Sequence, residues 1–366
     1  MLVAGEPSGD LHAARVAAAV KGLQSDVLLL GMGGDLMEAA GVELIYHIRD
    51  SAVVGIAEAI TAIPTFLKKR KHLKQIIRER KPDALLLVDF AEFNMPLAKF
   101  AHQLQIPAIY YIPPKAWAWR PRRAEQIAKT TQCVASIFPF ETEFYQRAGA
   151  NAHFVGHPLL DFAQTPLSVE EAQAQLNLCN NTPVVGLMPG SRRREVERLL
   201  PVMLEVADRL RDTVPDCQFI LPLAPSLDRA SLPEMPGIKI VVGRTYEAMR
   251  ASDLMLIASG TATLEATCLG TPMVILYKMS HLSWLVLRRL VKLERSGLPN
   301  IIAGHEIVPE LLQSEVQTDR ITEIALNLLH HTAQRESQRA ELRKVYEQLG
   351  TPGAAERVAQ LILSNF

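Results

Sequence analysis

Short apolar runs alternate with longer helical patterns along almost the whole chain, and no other feature constrains the fold as strongly. The runs lie at 27–30, 84–88, 108–112 and 133–137 in the first half, and at 184–188, 218–221, 239–242, 254–257 and 272–276 in the second. Strands that are apolar on both faces belong to parallel sheets covered by helices on both sides. The alternation therefore predicts an α/β protein with doubly wound sheets.

A polar stretch at 177–183 interrupts this alternation, and the strands start afresh after it. With 366 residues, 48% of them hydrophobic, the chain is long enough for two domains with separate cores. We expect a Rossmann-like domain at 1–165, a second one at 166–350, and a last helix at 351–366 that packs back on the first domain. The two domains would face each other across a cleft, with ligands bound by the loops that follow the strands.

The charge balance excludes one class of protein. The chain has 39 Lys and Arg residues against 39 Asp and Glu residues, so it lacks the basic excess of a nucleic-acid-binding protein. Residues 1–155 alone hold 18 basic against 15 acidic residues, and the basic ones are concentrated at 68–81 and 115–129. A local basic surface therefore remains, and it suits an anionic membrane.

The four cysteines lie far apart, at positions 133, 179, 217 and 268, which is typical of reduced thiols and not of a zinc or redox site. The first residues lack the features of a signal peptide, and no apolar run approaches the roughly 20 residues of a membrane-spanning helix. We therefore expect a cytoplasmic protein that can still contact a membrane surface.

Two glycine turns in the second half have the pattern of a nucleotide site. Gly190, Ser191 and Arg192 follow one predicted strand and open a helix, so that backbone amides, a helix N-terminus and a guanidinium suit a diphosphate. The segment 259–261 follows another strand in the same way, and Glu265 then offers a carboxylate to the hydroxyls of a ribose. Each turn alone could be an ordinary helix cap, but two in one domain favour phosphate binding.

Two further segments in the first half follow predicted strands. The glycine turn 4–10 precedes a helical run at 11–21, but it is not a Gly-x-Gly-x-x-Gly motif, so a nicotinamide dinucleotide is a poor match. Asp89 comes directly after the apolar run 84–88, where a carboxylate can act as a general base. The structural alternatives are a cap by Ser8 or Asp10 in the first segment and a helix cap by Asp89 in the second.

The segment 51–67 combines apolar residues at helical spacing with a dense basic cluster. Ile56, Ile60, Ile63 and Leu67 would lie on one face of a helix, and the basic run 68–71 follows directly. This is the pattern of an element that lies on an anionic membrane, although a core-facing helix with a solvated end has the same pattern.

Taken together, the motifs resemble the lipid-A-disaccharide synthase family, which are glycosyltransferases of the two-domain GT-B fold. The matching segments follow the family's order over nearly the whole chain: 4–10, 31–34, 89–94, 117–120, 138–141, 155–158, 187–195, 258–265, 298–300 and 307–313. The resemblance implies an inverting transfer of 2,3-diacylglucosamine from UDP-2,3-diacylglucosamine to the 6-hydroxyl of 2,3-diacylglucosamine 1-phosphate. The products would be a β-1,6-linked disaccharide and UDP, with no metal or other cofactor.

The resemblance also implies roles for individual residues. The catalytic residues would be Asp89, Asn300 and Glu6, with Asp89 as the base. The substrate-binding residues would be Ser8, Gly9, Asp10, Gly190, Ser191, Arg192, Ser259, Gly260, Thr261 and Glu265. The membrane-docking residues would be Ile56, Ile60, Ile63, Leu67, Lys68 and Lys69, because both substrates carry acyl chains; they would attach the protein to the inner face of the inner membrane.

Two other functions remain open at this point. A UDP-sugar 2-epimerase of the same fold would need further carboxylates around the hexose and no membrane contact. A non-catalytic nucleotide-sugar-binding protein would leave Asp89 dispensable. The residues do not decide whether the chain is a monomer or a homo-oligomer.

Overall fold

The computed structural model describes residues 1–51, 56–280, 284 and 295–364, with side chains described except at 50, 51, 56–63 and 119. The chain divides into two compact units, the first formed by Met1–Pro158 together with Leu349–Phe366 and the second by Leu159–Gln348. Each unit is built around one parallel sheet. The prediction of doubly wound α/β sheets is confirmed.

The sheet of the first unit has the strand order β3-β2-β1-β4-β5-β6-β7, and all neighbouring strands are parallel. The chain starts in the middle of the sheet and winds first to one edge and then to the other, as in Rossmann folds. Its strands are β1 (Leu2–Ala4), β2 (Leu30–Gly33), β3 (Glu43–His47), β4 (Leu85–Val88), β5 (Ala108–Tyr111), β6 (Cys133–Ser136) and β7 (Ala152–Phe154).

Helices connect these strands and cover the sheet. They are α1 (Pro7–Leu23), α2 (Asp35–Ala39), α3 (Ile56–Arg80), α4 (Ala91–Gln103), α5 (Ala116–Trp119), α6 (Arg122–Thr130) and α7 (Pro139–Arg147). The last helix of the chain, α15 (Ala354–Leu363), belongs to the same unit and packs against α1. The first unit is therefore completed by residues from both ends of the chain.

The second unit has the strand order β10-β9-β8-β11-β12-β13, again with all neighbours parallel. Its strands are β8 (Val184–Met188), β9 (Gln218–Leu223), β10 (Ile238–Val242), β11 (Leu254–Ala258), β12 (Met273–Tyr277) and β13 (Glu310–Leu312). Its helices are α8 (Val169–Gln175), α9 (Arg193–Thr213), α10 (Thr245–Ala251), α11 (Ala262–Leu269), α12 (Leu298–Ala303), α13 (Thr318–His330) and α14 (Thr332–Gln348).

The central strands of both sheets are buried on both faces, which is why their sequences are continuous apolar runs. Because all strands of a sheet are parallel, the loops that follow them collect at one edge of that sheet. In the first unit this edge carries the turn after β1 and the turn after β4. In the second it carries the turns after β8 and β11.

Candidate active site

The second unit contains a cavity of about 680 Å³ at the carboxyl ends of its central strands. It is lined by every residue that the sequence predicts for the nucleotide, namely Gly190, Ser191, Arg192, Ser259, Gly260, Thr261 and Glu265. The first turns of α9 and α10 contribute further lining residues to which the sequence analysis gave no role, namely Glu195, Thr245, Tyr246 and Glu247. The two glycine turns, about 70 residues apart in the chain, therefore contribute to one concave site, as parallel neighbours β8 and β11 require.

The turn after β8 presents backbone amides to a single carboxylate. Gly190 has a φ of 116°, and a Cβ atom there would lie 2.5 Å from Glu195 Oε2, so only glycine fits. The N–H groups of Ser191 and Arg192 each donate to Glu195 Oε2 at 3.3 Å. The Arg192 side chain is 84% exposed and lies 3.3 Å from Glu195 Oε1. The N–H groups that suit an anion thus converge at the start of α9, where the Glu195 carboxylate accepts their hydrogen bonds in this structure.

The turn after β11 is tied to a neighbouring segment. Ser259 Oγ donates to the carbonyl of Ser296 at 3.2 Å, and Thr263 Oγ1 donates to the carbonyl of Gly260 at 2.7 Å. Glu265 lies in the first turn of α11, where burial raises its pKa and a hydrogen bond from Tyr246 opposes that rise. The Tyr246 hydroxyl lies 3.5 Å from Glu265 Oε1. A partly buried carboxylate oxygen thus faces the cavity with a tyrosine beside it.

Asn300 is predicted to be catalytic, and in the structure every polar atom of its side chain bonds within the fold. Its catalytic role stays a prediction. Asn300 is fully buried; its Oδ1 accepts from the N–H groups of Ile307 and Val308 at 2.8 and 3.1 Å. Its Nδ2 donates to the carbonyl of Val308 at 3.0 Å and to Glu310 Oε2 at 3.1 Å. Asn300 therefore holds the segment before β13.

Glu310 extends this network to the cavity. Its Oε1 accepts from the N–H groups of Ser296 and Gly297 at 2.6 and 2.9 Å and from the Ser296 hydroxyl. Ser296 in turn contacts Ser259, which lines the cavity. The sequence analysis did not identify Glu310. Its position at the start of a short strand gives no chemical signal, although it lies in the matching segment 307–313.

In the first unit, Asp10 is predicted to bind substrate; its carboxylate also bonds within the fold, and its substrate-binding role stays a prediction. Asp10 is buried, and its carboxylate accepts from the N–H groups of Gly34, Leu36 and Met37 at 2.6, 3.2 and 3.1 Å, which caps α2. Gly9 is also buried and packs against β1, where a Cβ atom would lie 3.3 Å from that of Ala4. The structural alternative stated for this turn, a cap by Asp10, therefore holds, with α2 as the capped helix.

Glu6 and Ser8 remain on the surface of the same turn, at the start of α1. Their side chains are exposed, so this part of the segment is accessible to a substrate. Their roles stay predictions.

Asp89 lies at the carboxyl end of β4 in a left-handed backbone conformation, with a φ of 46°. Its side chain is half-buried, and burial raises its pKa, opposed by a backbone hydrogen bond from Phe90 and by the positive charge of Lys115. A carboxylate that is partly desolvated but still reachable has the properties of a general base.

The sequence analysis missed a second carboxyl group near Asp89. Glu141 on α7 is only 2% exposed, and its Oε1 accepts from the Trp117 indole N–H at 2.8 Å. Burial raises the pKa of Glu141 to about 7; the Trp117 hydrogen bond and Lys115 lower it, and Asp89 raises it further. Burial likewise lowers the pKa of His157 to about 3, so that its ring is neutral.

Helix α3 carries the segment predicted to dock on a membrane. Ile56, Ile60 and Ile63 lie outside the residues whose side chains are described. Leu67 is 48% exposed and Lys68 is exposed. Lys69, in contrast, is buried, and its Nζ lies 5.0 Å from the centre of the Tyr46 ring, so its predicted docking role has no exposed side chain to support it. Among the described residues, no helix combines the length and the apolar character needed to cross a membrane.

Similarity to solved structures defines the fold class. The structure is similar to MurG from Acinetobacter baumannii, with a TM-score of 0.61 at 14% identity over 100% of this chain and 98% of that one. It is also similar to a UDP-GlcNAc 2-epimerase from Neisseria meningitidis solved with UDP-GlcNAc, with a TM-score of 0.59 at 14% identity and the same coverage. At this level of identity the likeness concerns the fold, which is the GT-B fold.

Sequence relatives specify the family. A family model described as lipid-A-disaccharide synthetase matches residues 1–363. The lipid-A-disaccharide synthase of Geobacter sulfurreducens is 43% identical over 99% of this chain and 96% of its own length, and that of Syntrophus aciditrophicus is 40% identical over 100% and 97%. The chain belongs to the lipid-A-disaccharide synthase family. It is therefore an enzyme, a glycosyltransferase. The family match favours this activity over the two alternatives, a UDP-sugar 2-epimerase and a non-catalytic binding protein.

Proposed function

We propose that the protein transfers 2,3-diacylglucosamine from UDP-2,3-diacylglucosamine to the 6-hydroxyl of 2,3-diacylglucosamine 1-phosphate. The products are a β-1,6-linked disaccharide 1-phosphate and UDP. The observation that carries the proposal is the cavity of the second unit, since two separate glycine turns, an exposed arginine and a partly buried glutamate line one space of about 680 Å³. That volume is in the range of roughly 300–1,000 Å³ that small-molecule sites have.

In this proposal the UDP moiety binds in the cavity. The diphosphate lies against the amides of 190–192 and the start of α11, with the Arg192 guanidinium as its counter-charge. The diphosphate takes over the N–H donors of Ser191 and Arg192 that Glu195 now accepts. Glu265 accepts the ribose hydroxyls, and its pKa, raised by burial, falls as those hydroxyls donate to it.

Asp89 is the proposed base. It takes the proton of the acceptor 6-hydroxyl as that oxygen bonds to the anomeric carbon of the donor. The bond from the anomeric carbon to the diphosphate oxygen breaks on the opposite face, which inverts the configuration, and the electron pair leaves with UDP. The amides of the cavity and Arg192 stabilise the charge on the leaving group. Glu6 and Ser8, exposed on the turn after β1, are proposed to contact the sugars.

The exposed side of α3 is the proposed membrane contact. Leu67, Lys68 and Lys71 are exposed, and Lys71 lies one turn after the other two on this helix. An apolar group flanked by lysines suits the interface of an anionic bilayer, where the acyl chains of both substrates reside. We therefore place the enzyme in the cytoplasm, peripheral on the inner face of the inner membrane.

A transfer assay with a matched pair of arginine variants tests the proposal. Purified protein with both lipid substrates in mixed micelles should yield the disaccharide 1-phosphate by mass spectrometry. Arg192→Ala should weaken UDP binding in calorimetry about tenfold or more, because a charge-assisted contact is worth about 1.5–3 kcal/mol. Arg193→Ala is the control, since that neighbouring side chain is 85% exposed and pairs with Glu197. Absence of disaccharide would exclude the function, and equal UDP affinity of the two variants would exclude the nucleotide site.

A further inference from the structure

The turn that carries Asp89 contains two consecutive residues in the left-handed backbone region. Asp89 has a φ of 46° and Phe90 has a φ of 47°. Residues with a Cβ atom avoid this region, and two in succession are costlier still. Such a turn persists only where the surrounding structure holds it, so the groups that hold it determine where the Asp89 carboxylate lies.

Asn94 is one of these groups. Its side chain is fully buried, and its Nδ2 donates to the carbonyl of Asp89 at 2.9 Å, that of Val88 at 3.1 Å and that of Val3 at 3.4 Å. Three carbonyls around one nitrogen fix the orientation of the amide, because an oxygen in that place would meet only acceptors.

The oxygen of the Asn94 amide indicates which end of the side chain matters. Within the part of the chain that the structure describes, Asn94 Oδ1 is buried without a hydrogen-bond partner. A buried, unpaired carbonyl is destabilising, and an apolar side chain of similar size would avoid it. The donor end of Asn94 must therefore contribute something that an apolar residue cannot, and what it contacts is the Asp89 turn and the end of β1.

Tyr110 holds the same carbonyl from the neighbouring strand. The ring is fully buried in β5, and its hydroxyl donates to the carbonyl of Asp89 at 2.8 Å. The Phe90 ring, which follows Asp89, lies over Gly5: a Cβ atom at position 5 would be 2.1 Å from Phe90 Cδ1. The turn is thus held through its carbonyl by two side-chain donors and through its next residue by close packing on the turn after β1.

We infer that Asn94 and Tyr110 are positioning residues of the transfer reaction. Their hydrogen bonds to the Asp89 carbonyl keep the backbone in its left-handed conformation, and that conformation points the Asp89 carboxylate toward the acceptor hydroxyl. The inference rests on the proposed function, in which Asp89 is the base. Neither residue touches substrate; each acts on the reaction through the backbone of Asp89.

Tyr110→Phe is the sharpest test, because it removes one hydroxyl and keeps the buried ring. Tyr145→Phe is a matched control: Tyr145 is also fully buried in the first unit, and its hydroxyl donates at 2.6 Å to a carbonyl outside the turn, that of Pro114. Tyr110→Phe should lower kcat about tenfold with the KM for the UDP-sugar within about twofold, because the misplaced group is the base and the nucleotide site is unchanged. Tyr145→Phe should keep kcat within about twofold while losing similar thermal stability.

Two further variants distinguish failure of the positioning role from failure of the proposed base. Asn94→Ala should lower kcat at least as much as Tyr110→Phe, and if it does not fold, the tyrosine pair still decides. Asp89→Asn should lose turnover by more than about a hundredfold while UDP binding persists. If Asp89→Asn keeps its turnover, the proposed base is wrong and this inference falls with it. If Asp89→Asn is inactive but Tyr110→Phe matches Tyr145→Phe in kcat, only the positioning role is overturned.

Discussion

The buried carboxyl groups of the first unit differ in how many donors face them. Asp10 accepts from three backbone N–H groups, which compensate the loss of water around its charge. Glu141 accepts one N–H, from Trp117, and within the described part of the chain its Oε2 has no hydrogen-bond partner. Burial accordingly raises the pKa of Glu141 to about 7. This carboxyl therefore changes its charge near neutral pH inside the fold.

The ionisation of Glu141 should make the free energy of unfolding depend on pH. In the unfolded chain this group ionises near its ordinary pKa of 4.5, and in the folded chain near 7, so the folded state loses stability as the pH rises from about 4.5 past 7. Glu141→Gln removes the titration. The free energy of unfolding of this variant minus that of the wild type should be larger at pH 8 than at pH 5. The size of the pKa shift of Glu141 sets this increase at up to about 3 kcal/mol. Denaturant unfolding at both pH values measures this.

The control for that measurement lies two residues along the same helix. Glu143 is exposed and pairs with Arg147. Glu143→Gln should therefore change the free energy of unfolding by the same small amount at pH 5 and at pH 8. A stability difference between Glu141→Gln and the wild type that is the same at pH 5 and pH 8 would contradict the raised pKa.

Residue type and position predicted much of the candidate site but not the use of each side chain. All seven predicted nucleotide residues line one cavity, since glycine turns after parallel strands lie at the same edge of a sheet. Asp10 and Asn300 look like ligand-binding groups in sequence, yet their polar atoms bond to backbone N–H groups that lie 24–27 and 7–8 residues away. Sequence alone cannot separate a polar group that binds a ligand from one that holds a loop.

At the scale of elements, strands with a continuous apolar run were predictable, and strands without one were not. The runs at 84–88, 108–112 and 133–137 match β4, β5 and β6 closely. The run at 27–30 was misplaced: β2 lies at Leu30–Gly33, and Leu28 is 89% exposed. The sequence Leu-Gly-Met-Gly of β2 has the composition of a turn, and it is a strand because β1 and β3 pair with it on both sides.

Three of the four edge strands were missed for a related reason; the fourth, β10, matches the run at 239–242. The strands β3, β7 and β13 each pair with one neighbour only and contain polar residues or have three residues. An edge strand needs no continuous apolar run, because part of its surface stays in water. These segments are strands because they pair with a neighbouring strand, and the local sequence carries no information about that pairing.

The segment that joins α12 to β13 gives a prediction at this scale. Asn300 holds it with four hydrogen bonds, so Asn300→Ala should leave buried N–H groups unpaired and destabilise the protein by about 2–4 kcal/mol. UDP affinity should fall as well, because Glu310 and Ser296 connect this segment to Ser259. Thermal unfolding and calorimetry measure the two effects. A variant with unchanged stability and lost turnover would instead support the catalytic role that the resemblance implies.

At the scale of the whole molecule, the zero net charge conceals an uneven distribution. The first 155 residues carry the basic excess, and part of it lies on α3, where Lys68 and Lys71 are exposed beside Leu67. This helix also contacts the region of the proposed base: the Phe66 ring packs on the rings of Phe90 and Phe93, with centres 5.6 and 6.2 Å apart. A membrane contact through α3 would therefore hold the Asp89 turn close to the bilayer, where the proposed acceptor lipid would reside.

Membrane attachment should depend on the exposed lysines of α3. Lys68→Gln with Lys71→Gln should weaken binding to vesicles that contain anionic lipid by about 30-fold, since each lysine near such a surface contributes about 1 kcal/mol. The loss should be largest at low salt, because the attraction is screened over about 10 Å at 0.1 M. Arg343→Gln with Lys344→Gln removes two exposed basic groups of the second unit and should leave binding unchanged. Vesicle flotation measures both. Equal binding of the two double variants would mean that the basic side of α3 is an ordinary solvated surface and that another face contacts the membrane.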